Sequence, residues 1–191
     1  MREQPDIIIP DSVTMPRAEV RTTANGVKVY RLDANEFEVV RFTLVFRAGS
    51  SMQHKSFAAS ATANMLGEGS THLTAQQIAE ELDFYGSYFD VNIDRDYAYI
   101  SFCSLKKFFE PTIAVAREII LHPAFPEHEF KIYCSKRKQS LTIERKKVDM
   151  QSRELFSEAL FGKEHPYGKC SDEALYEELT TDDLRHTYRT L

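Results

Sequence analysis

Apolar and polar residues alternate over residues 38–50, "EVVRFTLVFRAGS", with Val40, Phe42, Leu44 and Phe46 sharing one face and Gly49 near the end. A period of two marks a strand with one buried side. The same period returns in residues 87–105, "SYFDVNIDRDYAYISFCSL", where Phe89, Val91 and Ile93 oppose polar neighbours. Two antiparallel strands turning near Asp94 are predicted there. A short hairpin is predicted over residues 20–33, around Asn25-Gly26, a strong type I′ turn signal.

Elsewhere the period is helical. Residues 55–66 are Ala-rich and nearly uncharged, which predicts a helix buried on most sides and stopped by Gly67 and Gly69. Thr74 and Gln77 form a capping box that opens a helix with Ile78, Leu82 and Tyr85 along one stripe, ended by Gly86. "FFEPTIAVAREIILHPAF" predicts a helix with Pro111 in its first turn and Pro123 beyond its end. A long basic helix from Glu127 to about Lys147 follows, then one over "DMQSRELFSEALFG" with Asp149 as its cap, and a final one opened by Thr180 and Asp183. Pro5, Pro10 and Pro16 mark residues 1–17 as an extended arm, leaving 18–191 as one domain. Strands first and in the middle, with helix pairs between and after, predict an α+β fold. Its helices pack on one face of a mixed, mostly antiparallel sheet.

Composition narrows the setting. The 191 residues, 42% hydrophobic and 28% charged, suffice for one core in a soluble domain. A net charge of -5 argues against nucleic acid as the main partner, and "SKRKQSLTIERKK" reads as a solvated helix face. No apolar run approaches the ~18 residues needed to span a bilayer. The N-terminal stretch does not read as a signal peptide. Cys103, Cys134 and Cys170 lie far apart without a CxxC pair, which suits reduced thiols and a cytoplasmic setting. Cys103 and Cys134 are expected to serve packing.

Catalytic patterns are sparse. Two imidazoles bind one metal from a helix when they stand four residues apart, and His54, His72, His122, His128, His165 and His186 contain no such pair. His128-Glu129 begins like HExxH but has no second histidine. No GxSxG elbow, phosphate loop or GxGxxG fingerprint occurs. Asp182-Asp183 in a first helical turn is explained by the helix dipole.

The ordered fragments "NGVKVY", "FRAGS", "ATANMLGEGS", "TAQQIAEELDFYGSYFDV", "LHPAFPEHEF", "LFGKEHPYG" and "LTTDDLRHTY" resemble the pitrilysin/insulinase family of inverse-motif zinc peptidases over roughly residues 18 to 191. The resemblance implies an N-terminal half-domain of a clamshell that closes on unfolded peptide, with further strands and a helix expected after Leu191. In active members an H-x-x-E-H helix supplies two zinc-binding histidines and a general base. Matched on Met65-Leu66 and Gly69-Ser70, this chain has Ser60 and Asn64 at the histidine positions and Ala63 at the base. Glu144 falls near the distal third ligand, a few residues out of step.

The resemblance therefore implies a degenerate homologue that binds no metal itself. It would be the chamber-completing subunit of a two-chain peptidase whose partner carries the zinc. A scaffold protein on the same fold is the alternative, and an active metallopeptidase a distant third. Peptide in this family adds as a strand to a sheet edge that maps onto Phe89, Asp90, Val91, Asn92 and Ile93.

Overall fold

Strands β1 (Glu19–Thr22) and β2 (Lys28–Arg31) pair antiparallel, with Glu19 opposite Arg31, in a computed structural model that describes residues 16–34, 36–169 and 172–190. Their connection differs from the predicted type I′ turn. That turn needs positive φ at both central residues, whereas Gly26 takes φ 86° and Asn25 does not. The Gly26 N–H donates to the Thr23 carbonyl and the Thr23 N–H to the Val27 carbonyl, making a three-residue loop closed by a left-handed glycine. Contacts divide the chain into a unit ending at Glu38, which holds this hairpin, and a second running Val39–Leu191. The arm expected over 1–17 lies almost wholly outside the described residues.

The second unit contains β3 (Val39–Phe46), α1 (Ala58–Met65), α2 (Ala75–Phe84), β4 (Tyr88–Ile93) and β5 (Ala98–Leu105). Helices α3 (Phe109–Leu121), α4 (Glu127–Glu144), α5 (Val148–Phe161) and α6 (Thr181–Thr190) follow. The sheet runs β3-β5-β4, antiparallel throughout, with Val39 opposite Leu105 and Tyr88 opposite Cys103. Alternation sorts the two faces as expected. Phe42, Leu44, Phe46 and Phe89 pack into the helical side, against a core whose most enclosed side chains include Met65, Phe102, Ile119, Phe125 and Leu184. Arg41, Thr43, Asp90, Asn92, Tyr99 and Ser101 face the other way around a shallow polar depression. Cys103 belongs to this outer face, opposite Arg41 and Tyr88, instead of the core. Cys134 does pack against the core, and both thiols are free.

Helix boundaries follow local chemistry. The Gln77 N–H donates to the Thr74 hydroxyl at 3.2 Å while the Thr74 N–H donates to the Gln77 side chain at 2.9 Å, the predicted capping box. At α6 the same reciprocity links Thr180 and Asp183, at 3.3 and 2.8 Å. Asp149 is not a cap: Lys147 precedes α5, no side chain caps it, and Asp149 sits in the first turn where the dipole favours an anion. Helix α5 has no buried residue and exposes Leu155, Phe156 and Leu160. No helix among the described residues is long and apolar enough to cross a membrane.

Candidate functional site

Helix α1 is the centre of the core and carries the three positions that the resemblance matches to metal ligands and base. Phe57, just before it, holds left-handed backbone at φ 65° and stacks on Tyr176 with ring centroids 4.0 Å apart. A β-carbon in that region is strained, so the aromatic stack fixes where the helix begins. Ala58, Ala61 and Met65 are fully enclosed, which explains the run of small residues: larger ones would not fit between sheet and helices.

Ser60, Ala63 and Asn64 stand at i, i+3 and i+4 of this helix, on one face. The Ser60 hydroxyl donates to the Phe57 carbonyl at 3.0 Å, and the Asn64 amide donates to the Ser60 carbonyl at 2.7 Å. Both side chains thus bond their own helix's backbone. Ser60 borders a polar cavity of about 220 Å³, whereas Ala63 borders an apolar one of about 340 Å³ with Phe46, Ile100 and Leu121. Asn64 is exposed. Zinc needs imidazole, thiolate or carboxylate donors arranged around one point. A hydroxyl, a methyl and an amide do not fit it, and a methyl group cannot take a proton from water.

Other titratable groups are engaged elsewhere. Glu144 ends α4, where its charge bears on Arg137 and Tyr176. The Tyr133 hydroxyl on α4 is buried without a well-formed hydrogen bond among the described residues, and burial, against a weaker opposing effect of Arg137 and Ser60, lifts its pKa to about 12. His54 contacts Asp183 and Thr187 at 3.4 Å and meets the His186 ring edge-on. His72 lies 2.8 Å from Glu118 and beside His122; His128 is exposed. Asp183 does more than answer a helix dipole. Burial pushes its pKa up, but bonds from Thr180, Lys55 and His54 outweigh that and bring it down to about 2. Among the described residues no three His, Cys, Asp or Glu side chains gather in a way that could hold a metal.

Strand β4 is an edge. It pairs with β5 on one side, and no strand among the described residues pairs with the other. Phe89, Val91 and Ile93 turn inward and are half-buried, while Asp90 and Asn92 point outward. Phe89 packs on Phe102, 5.1 Å between centroids, and sits so close to Gly67 that a β-carbon there would lie 2.9 Å from its ring. A peptide meeting this edge would therefore bond the backbone of β4, with the outward side chains beside it.

The residues that sequence reasoning missed line the cavity beside Ser60 and a second one that adjoins it. Ser50, Arg95, Arg153 and Lys169 come from four separated segments, and no local pattern ties them together.

No family model matches this chain. No curated protein matches it either. Solved structures do. An inactive peptidase M16 domain from Pseudomonas fluorescens superposes with a TM-score of 0.82 at 24% identity, covering 89% of this chain and 42% of that one. A protease from Helicobacter pylori gives 0.79 at 14%, covering 92% and 43%. The periplasmic protease PqqL from Escherichia coli gives 0.73 at 17%, covering 97% and 21%. The chain spans less than half the length of each. The fold is that of M16 peptidase domains, in agreement with the pitrilysin-like half-domain expected from the sequence.

Proposed function

We propose that this chain is a non-catalytic peptidase-like subunit that lines a peptide chamber completed by a zinc-bearing homologue. The observation that carries the reading is the state of α1. On a peptidase fold, the helix positions where metal ligands and base would stand hold Ser60, Ala63 and Asn64, two of them bonded to their own backbone. The open edge of β4 supports the second half of the reading, because unpaired backbone groups along Phe89, Asp90, Val91, Asn92 and Ile93 can accept an extended peptide as an added strand. Zinc and its activated water would come from the partner. Free Cys103 and Cys134 suit a reducing compartment such as the cytoplasm.

The test is reconstitution. Alone, the protein leaves an unfolded fluorogenic peptide intact; mixed with an H-x-x-E-H homologue, it raises that partner's chelator-sensitive cleavage and crosslinks to peptide through β4. Chelator-sensitive cleavage by the chain alone would overturn the proposal. Absence of peptide crosslinking would instead make the protein a scaffold on the same fold.

A further inference from the structure

The polar cavity beside Ser60 does not end there. A second cavity of about 220 Å³ adjoins it, and the two share Ser50, Pro166 and Lys169 as walls, forming one trough from the start of α1 to α5. Two close backbone approaches build its frame. A β-carbon on Gly49 would lie 2.4 Å from the backbone of Arg95 and Asp96, and one on Gly168 would lie 2.0 Å from the Gly162 carbonyl. The first lets residues 49–51 bond the β4–β5 turn through three backbone N–H groups; the second folds the loop that presents Lys169.

The trough's charge is unbalanced. Arg95, Arg153 and Lys169 line it against Glu154, and the Asp96 carboxylate at its wall accepts from the Ser51 and Tyr167 hydroxyls, leaving three cations to two carboxylates. Arg95 is held rigid: its guanidinium lies over the rings of Tyr167 and Phe161, 4.9 and 5.8 Å from their centroids, and donates to the Ser157 hydroxyl at 2.8 Å. Arg153 and Lys169 have no ion-pair partner among the described residues. The remaining wall is hydroxyl-rich, with His54 at its far end. A fixed guanidinium flanked by two cations that lack an ion-pair partner among the described residues suits a carboxylate.

We propose that this trough binds a carboxylate of a peptide, either an acidic side chain or a free C-terminus. The site is built from different segments than the β4 edge and stands whether or not that edge takes a strand. NMR titration of the whole chain at low salt tests it with three pentapeptides: Ac-Ala-Ala-Glu-Ala-Ala-amide, its Gln counterpart, and the Gln peptide with a free C-terminus. The Glu amide, the free-acid peptide, or both shift the amides of Ser50 and Lys169, and the uncharged Gln amide binds at least about tenfold more weakly. Which carboxylate peptide binds identifies the source. Arg153→Gln with Lys169→Gln weakens binding about tenfold, while Glu154→Gln strengthens it, a gain that loss of structure would not produce. Equal binding of all three peptides, no binding of any, or weakening by Glu154→Gln overturns the proposal. Failure here leaves strand addition at β4, which depends on peptide backbone and not on charge, untouched.

Discussion

Gly49 lies against the backbone of Asp96 so closely that only hydrogen fits: a β-carbon would sit 2.4 Å away, and the Gly49 N–H donates to the Asp96 carbonyl at 3.1 Å. The obstacle is backbone on a tight turn, which cannot swing aside. Gly49→Ala therefore costs about 2 kcal/mol through overpacking. Thermal denaturation should show Tm falling by roughly 6 °C for a chain of this size. An unchanged Tm would mean that the two loops separate freely.

Thr74→Ala removes one half of the capping box of α2 and leaves the Gln77 N–H unpaired at the helix start. The expected loss is about 1 kcal/mol. Denaturant unfolding reads it as a lower midpoint with an unchanged slope.

Tyr133→Phe works in the other direction. The hydroxyl is buried, and Ser60 and Arg137 bear on it without a well-formed hydrogen bond, so its desolvation is only partly offset. Removing it raises stability by about 1 kcal/mol, seen as a higher midpoint. A drop would reveal a partner for that hydroxyl in solution.

Asp183 gives a pH signature. Its folded pKa, about 2, lies below the ordinary 3.8, so its ionised form favours the folded state. That contribution is complete above about pH 4 and disappears as pH falls from 4 toward 2. Asp183→Asn should lower stability at pH 7 and flatten its dependence on pH in that interval, measured by unfolding at successive pH values.

Cys134 should resist alkylation. Burial, with help from the negative charge of Glu127, raises its thiol to about 11, so almost no thiolate exists at pH 8. Peptide mapping after iodoacetamide treatment should find Cys134 unmodified in the folded protein and modified after denaturation.

How much of this was legible in the sequence depended on the range over which each interaction acts. The capping boxes at Thr74 and Thr180 and the sheet alternation from Val39 onward are local, and the structure matches them. The Asn25-Gly26 turn was misjudged because the Thr23 hydroxyl, which accepts from the Val27 N–H at 3.0 Å, favours a longer loop. Asp149 is not a cap because α5 begins at Val148, two residues earlier than a cap at 149 requires. The trough was invisible: Ser50, Arg95, Arg153 and Lys169 are brought together by contacts between distant segments, the two glycine approaches and the Arg95–Ser157 bond among them, and none leaves a trace in hydrophobic periodicity.

The enclosure of Ala63 limits what chemistry this helix could be given. With 6% of its surface accessible, its methyl group borders an oily hollow. A carboxylate placed there would keep its proton instead of activating water. Histidines introduced at 60 and 64 would thus find no working neighbour, so three substitutions alone would not make this helix activate water; the surrounding packing would have to change with them.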